Sequence, residues 1–293
     1  MSNDTIDLVP YSLIDMLRFL LVSLNIEAIL QESTIYRRRE RLGKITGGLG
    51  LGDAYGATIE RIKAQDGDKS RLGITALMWI SHAQRPLRAD DLCQALAVEL
   101  GSTNFNFDDI PSITTLVSCC QGLITVDSWA STARLIHFTL QEYLSTSPDI
   151  FSRPHATMAD IYLTYLNSAQ LKAIRADCAP DISEMPFLKY CYLYWEAHAR
   201  KELSDHARSL ALKLLQEWDG HISIKCLLKD EGDLDLETAD VYLLFSGLHW
   251  ASFFGVVEVV AALVEMGCYD TDRGDFWGGT HRLHGLPGMA MRM

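Results

Sequence analysis

The residues with the most obvious chemical spacing are RLGKITGGLGLGDAYG, residues 41–56, where a Gly-Lys pair lies among Gly47, Gly48, Gly50 and Gly52. Glycines and a lysine at such spacing suggest a loop that wraps phosphate with backbone N–H groups. A Walker loop needs G-x-x-x-x-G-K-[ST], with the leading glycine for the tight wrap and the hydroxyl for magnesium. Arg38 occupies the place of the leading glycine, and Ile45 stands where the hydroxyl is required. A dinucleotide loop follows a buried strand, and the sequence upstream has no such pattern. The stretch reads instead as a turn between helices, with Asp53 capping a helix that starts near Ala54.

Other reactive residues lie close together without completing a site. His281-x-x-His284 has a metal-ligand spacing, but no acidic or Cys partner is fixed nearby, so a structural accident is the reading. His137, Thr139 and Glu142 are neighbours in sequence. His137 is placed in the second strand of a hairpin and Glu142 in the following helix, which favours a folding role over acid–base work. Cys119 and Cys120 sit in a helical pattern that favours packing over redox chemistry. There is no G-x-S-x-G nucleophile elbow and no H-E-x-x-H zinc motif. No catalytic, metal-binding or cofactor-binding residue is assigned, and no small-molecule substrate is identified.

Composition narrows the classes further. The chain has 293 residues, 48% hydrophobic and 22% charged, as soluble globular proteins have, and is long enough for more than one core. A formal charge of −12 argues against a general affinity for nucleic-acid backbones. The seven cysteines include no C-x-x-C pair, and most sit among apolar neighbours, so a reducing, cytoplasmic environment is expected. MSNDTIDLVP lacks the pattern of a signal peptide. The apolar window around Phe19–Val22 is interrupted by Asp15, Arg18, Asn25 and Glu27, so no membrane span is expected.

The elements that would position any site are mainly helical. Leu13, Leu17, Leu20, Leu24 and Ala28 mark a helix over 11–31, and Arg37–Arg41 read as a solvated helix face. From residue 70 the rhythm changes. One helix carries Ile74, Leu77, Met78 and Ser81 and breaks at Arg85-Pro86. A second runs from Asp90 to Leu100 with Leu92, Leu96 and Leu100 on one side, and a third from Ile110 to Cys120. Gly122–Val126 and Ala133–Phe138 read as strands joined by a turn at Asp127–Ser131. Three helices followed by a β-hairpin is the order of a winged helix. A DNA-reading winged helix needs basic and amide side chains on its third helix. Residues 108–121 contain neither Lys nor Arg, so the module reads as a protein-packing unit. Beyond it, amphipathic helices are marked by Met158, Ile161, Tyr162, Tyr165, Leu166 and Ala169, by Phe187, Tyr190, Cys191, Tyr194 and Ala197, and by Ala207, Leu210, Ala211, Leu214, Leu215 and Trp218. The aromatic stripe Tyr190, Tyr192, Tyr194 and Trp195 reads as core packing, and the acidic run Lys229–Glu237 as a linker.

Residues 246–268, SGLHWASFFGVVEVVAALVEMGC, carry the most specific pattern. They resemble an ankyrin repeat through Leu248, His249, Ala251, Gly255, Glu258, Val259, Val260, Leu263 and Gly267, which match its motif in register. Ser246 and Gly247 depart from the usual Thr-Pro. Gly255 permits the turn between two helices, Ala251 lets them approach, and Val259, Val260 and Leu263 form the buried face. Gly267 ends the second helix in a left-handed conformation, and His249 is a structural hydrogen-bonding residue. A single repeat cannot bury its own face, so this one is expected to lean on the preceding helices. Asp275–Thr280 resembles the start of a second repeat.

Gly50 to Tyr55, LMWISHAQRPL (77–87), LIHFTLQEYL (135–144) and PFLKYCYLYWEAHAR (186–200), followed by the repeat, together resemble the region after the ATPase in fungal NACHT–ankyrin proteins. These are NOD-like receptors of the STAND class, and the winged helix is similar to the one named after GPI inositol-deacylase. The resemblance covers residues 12–280. It implies a mainly α chain: a helical lead-in (1–69), a winged helix with a short β-hairpin (70–145), a helical superstructure (146–240), a C-terminal ankyrin repeat with a partial second (241–280) and an unpacked tail (281–293). It also implies that the chain begins after the NACHT ATPase, so the family's nucleotide-binding residues have no positions here. The expected function is non-enzymatic binding of protein partners through helical and ankyrin surfaces, with no nucleic acid, membrane or cofactor. The alternatives are a nucleotide-dependent signalling switch and a winged-helix DNA binder.

Overall fold

In the computed structural model, the residues described are 22, 23, 26, 29–30, 32–48, 50–174, 185–217, 221–223 and 246–267, and side chains are not described over 44–49. Over these residues the chain is mainly helical with one small sheet. Among the described residues it packs as two compact units. One holds those up to Ala89 together with Ser112–Ser152, and the other Asp90–Pro111 with those from Arg153 onward.

The first unit begins with α1 (Ile35–Gly48), a helix that buries none of the side chains described on it. Arg37, Arg39 and Arg41 are exposed as expected, while Arg38 folds back to donate to the carbonyls of Leu30 and Glu32. The glycine-rich stretch does join two helices as expected, but the junction is shorter, since helix continues through Gly48 and resumes at Leu51. The next helix, α2 (Leu51–Lys63), starts three residues earlier than the sequence indicates. Gly50 precedes it, and Asp53 lies inside the first turn, where its carboxylate accepts the Gly50 N–H at 3.3 Å. The carboxylate still caps the helix, but from the third position, near the positive end of the helix dipole.

α3 (Asp68–His82) crosses α2 very closely at Gly73. A Cβ on Gly73 would lie 2.7 Å from Ile62 Cγ2 and 2.8 Å from the Cys119 carbonyl oxygen. Leu72, Ala76, Leu77 and Trp79 make the buried stripe of α3, whereas Ile74 and Ser81 are half-buried. After Pro86 the chain forms β1 (Leu87–Arg88) and then α4 (Ala89–Leu96). The second predicted helix thus stops at Leu96. Ala97 and Val98 already bond to carbonyls three residues back, Gly101 turns the chain at φ +83°, and Leu100 is exposed. Asp90–Leu96 group with the second unit.

The third predicted helix is also shorter. Pro111 cannot continue a helix, so a 3₁₀ turn at Phe107–Asp109 precedes α5 (Ile113–Cys119), which Ser112 caps by accepting the Thr115 N–H. β2 (Ile124–Asp127) and β3 (Thr132–Leu135) form the hairpin, and β1 adds to β3, giving the antiparallel order β1-β3-β2. Leu87 and Val126 both pair with Ala133, which is buried. The second strand ends before His137. That histidine caps α6 (Phe138–Thr146) instead, its Nδ1 accepting the Thr139 N–H at 3.3 Å.

The second unit is built on α7 (Pro154–Leu166), which packs against α9 (Pro186–Ala199) and α10 (Asp205–Gln216), with α8 (Ala169–Ala173) between α7 and α9 in the chain. The amphipathic patterns expected for α7 and α9 understate their burial. Nearly every face of both is covered, and Tyr162, Tyr165, Phe187 and Tyr190 form one aromatic cluster with centroids 5.2–5.8 Å apart. Tyr192 and Trp195 join this core, as the packing reading of the aromatic stripe expects, while Tyr194 is half-buried. Ala169 is exposed, because α7 ends at Leu166 with Asn167 as its C-cap and α8 begins after Ser168, its N-cap. Asn167 Nδ2 binds Leu163 O and Leu210 O, tying that end of α7 to α10.

Candidate functional site

Two exposed features and several enclosed ionisable groups stand out from the scaffold. The first feature is the hairpin tip of the first unit. Asp127 Oδ1 accepts the N–H groups of Trp129 and Ala130 at 2.9 and 3.0 Å, and those bonds hold its carboxyl below the usual range. Asp127 also pairs with Arg134 at 3.4 Å. The tip presents Trp129 with 98% of its surface open to solvent. In the same unit, α5 turns Thr114, Thr115 and Ser118 outward. The Ser112 hydroxyl bonds both Thr114 and Thr115 at 2.8 Å, so this face is neutral and internally hydrogen-bonded.

The glycine stretch acquires a structural role in the same unit. Gly52 and Gly56 stand one turn apart on α2, and Tyr143 of α6 lies across them. A Cβ on Gly56 would be 3.1 Å from the Tyr143 hydroxyl, and one on Gly52 3.6 Å from its ring. Tyr55 meets Tyr143 with ring centroids 5.6 Å apart and bonds Thr139 Oγ1 at 2.8 Å. The G-x-x-x-G spacing was the available signal for this flat helix face, and the phosphate-loop comparison drew attention away from it. Lys44 is helical in backbone and its side chain lies outside the described residues. Glu142 is exposed, and His137 bonds Thr139 rather than joining an acid–base pair.

The second feature is the C-terminal helix pair of the second unit, α11 (Gly247–Phe254) and α12 (Val257–Glu265). Ser246 and His249 close the start of α11: His249 Nδ1 accepts the Ser246 N–H at 3.1 Å and lies 2.8 Å from its hydroxyl. Gly255 turns the chain at φ +66° and Gly267 follows α12 at φ +63°. Leu248, Ala251, Val259 and Leu263 are buried, as is Ala262, while Val260 is half-buried. The pair packs on α10, and Phe254 meets Trp195 of α9 edge-on at 5.0 Å. Its other side keeps Phe253, Val257 and Val264 exposed, Val257 by 73%. Asp275–Thr280, His281 and His284 lie outside the described residues.

The remaining reactive groups are enclosed. Cys93, Cys119, Cys120 and Cys191 are free and buried, and burial raises each thiol, Cys93 to about 11 and Cys120 to about 12. Such thiols are poor nucleophiles. Cys178, Cys226 and Cys268 lie outside the described residues. His221 accepts the Ser223 N–H on Nδ1 and uses Nε2 toward Leu166 O at 2.8 Å, so both ring nitrogens suit the neutral form. Burial lowers it to about 4. Glu196 of α9 is raised to about 7, chiefly by burial. His155 and His198 face each other with Nδ1 atoms 2.9 Å apart, and Glu202 nearby binds Arg153 Nε at 2.7 Å and the Ala156 N–H. The sequence does not mark the His155–His198 and His221–Leu166 contacts, because the partners in each lie more than 40 positions apart. Among the described residues, no cluster of three His, Cys, Asp or Glu could hold a metal ion, and no helix is long and apolar enough to cross a membrane.

The order α3-β1-α4-α5-β2-β3, with a sheet in which the last strand lies between the other two, is that of a winged helix. Residues 60–152 match the family model described as GPI inositol-deacylase, winged helix domain. No curated protein and no solved structure matches the chain.

Proposed function

We propose that this chain is a non-enzymatic protein-interaction region of a cytoplasmic NOD-like-receptor-type protein, of the fungal NACHT–ankyrin kind. In this reading the winged helix is a structural coupling module and α11–α12 is an ankyrin repeat. The observation that carries it is the two-sided helix pair. One apolar side is spent on α10 and Trp195, and the other, with Phe253, Val257 and Val264, stays open. An apolar face of this kind on a helix–turn–helix unit is where another protein surface packs. The winged-helix match to residues 60–152 supports the family context. The hydroxyl-lined face of α5 supports packing over DNA reading, since it offers no cation to phosphate. The helical backbone of Gly47 and Gly48 supports a connector over a phosphate cradle.

A photo-crosslinking amino acid placed at Val257 or Val264 in cells tests the reading. Discrete protein adducts are expected at both positions, and none at exposed Lys213 on α10. Adducts should disappear when the neighbouring position is changed to Asp. Absence of adducts at both positions overturns it. Saturable ATP binding lost in Lys44→Ala would favour the switch instead, and retardation of a DNA duplex at low salt would favour the DNA reader.

A further inference from the structure

Glu196 occupies a place where a carboxylate is poorly served. It follows Trp195, which touches Phe254 of the helix pair, and stands one turn before Arg200 on α9. The Arg200 side chain lies against the bend of the pair, within 3.6–3.8 Å of where a Cβ on Gly255 would be. Glu196 Oε2 is enclosed and has no hydrogen-bond partner. Among the described residues, Arg200 is the charged side chain that bears on it, and the other favourable influences are the backbone amides of Glu196 and Ala197. An enclosed oxygen without a donor favours the neutral acid, because ionisation would leave a charge in a poorly solvated site.

The geometry points to Glu196 as a proton-operated latch on the α11–α12 pair, neutral while Trp195 and Arg200 hold the pair and ionised when the pair lifts and water reaches the carboxylate. Ionisation releases the proton to water and leaves a carboxylate that Arg200, freed from the Gly255 bend, can meet. The inference rests on the pair being the interacting surface proposed above and adds its regulation: alkaline conditions loosen the pair, acid conditions seat it.

The sign follows from linkage. Burial raises Glu196 to about 7 in the seated state, against 4.5 for the ordinary side chain. Seating is therefore favoured below about pH 4.5 and loses that advantage as pH rises to 7. The equilibrium constant for lifting should rise by up to roughly seventyfold between pH 5 and pH 8, with little change beyond. His221, lowered to about 4 by burial in the same unit, pulls the opposite way, whereas Cys93 and Cys191, raised by burial, stay protonated across this range.

Hydrogen exchange of the intact chain tests this, with α7 as internal standard and intrinsic rates corrected for pH. Protection over Gly247–Glu265 should fall from pH 5 to pH 8 in the parent chain and not in Glu196→Gln. A parent profile without pH dependence, or a Glu196→Gln profile that keeps it, overturns the latch. If Glu196→Gln does not fold, Arg200→Ala serves, since removing the nearby cation should move the midpoint of the fall to higher pH. An unmoved midpoint also overturns it. Crosslinking at Val257 reads partner contact at any one pH, so the latch and the interaction reading can fail separately.

Discussion

The two units solve the problem of a closed interior differently. In the first, the tight places are steric. Gly73 lets α3 lie on Ile62 and the Cys119 carbonyl, Gly52 and Gly56 receive Tyr143, and the surface polar groups of α5, like those of the hairpin tip, are bonded locally within their own segment. In the second, ionisable groups are taken inside. Glu196, His221 and His198 lie within or against the helical core, the first two with large shifts in opposite directions. Sterically locked packing has one good arrangement and little response to conditions. Packing that encloses titratable groups has a stability written partly in protons. The first unit thus reads as scaffold and the second as the part able to respond.

The sharpest break of this contrast is Gly73→Ala. The nearest atom a Cβ meets on one side is a backbone oxygen at 2.8 Å, which cannot rotate away, so α3 must shift. A loss of about 3 kcal/mol is expected, at the upper end for overpacking. Urea unfolding of the intact chain, with exchange localised to α3, checks it. A loss below about 0.5 kcal/mol would show the crossing to be looser than the geometry requires.

The second unit should answer to pH instead. Glu196, raised above its ordinary value, contributes stability present at low pH and lost as pH rises through 7. His221, lowered to about 4, contributes stability present above about 6.5 and lost as pH falls through 4. Between pH 4.5 and 6.5 the two slopes oppose each other, so the parent chain should be nearly flat there. Glu196→Gln should expose a rise of about 2 kcal/mol with increasing pH, and His221→Gln a fall of similar size. Urea midpoints for each variant between pH 4 and pH 7.5 decide it, and parallel curves would remove proton linkage from the contrast.

How much of this could be read in the chain follows the same division. The helix pair was legible because its signals are local: Gly255 and Gly267 are both left-handed, and His249 bonds a residue three positions away. The hairpin and the helix order of the winged helix were legible for the same reason. β1 was not, since two residues have no period and are strand only through pairing with β3. Element ends erred where a local bond outcompeted periodicity, at the helix ends near Leu96 and Ser112 and at the strand end near His137. The glycines of α2 misled because their partner, Tyr143, is remote in sequence. Glu196 and His221 carry no sequence mark, for enclosure is a property of packing alone.

A smaller effect separates two kinds of glycine. Gly255 has ordinary room, since its nearest neighbour would be Arg200 at 3.6 Å, but its φ of +66° disfavours any L side chain. Gly255→Ala should therefore cost only the backbone term, about 1 kcal/mol. That cost should appear as faster exchange in α11 and α12 with α7 unchanged. If it matched the cost at Gly73, the pair would be more tightly enclosed than the steric core, and the contrast between the units would reverse.

The smallest effect on folding is expected at the most conspicuous side chain. Trp129 is almost wholly exposed, whereas Trp79, Trp195 and Trp250 are buried. The turn that carries it is fixed by Asp127, through bonds to the Trp129 and Ala130 backbone, so removing the indole leaves those bonds intact. Trp129→Ala should change stability by less than about 0.5 kcal/mol, while reducing the red-edge, readily quenched part of the tryptophan emission. Asp127→Ala should cost about 1 kcal/mol, as two backbone N–H groups lose their acceptor. A larger loss from Trp129→Ala than from Asp127→Ala would mean that the indole packs on the protein and that the tip belongs to the closed steric interior of its unit.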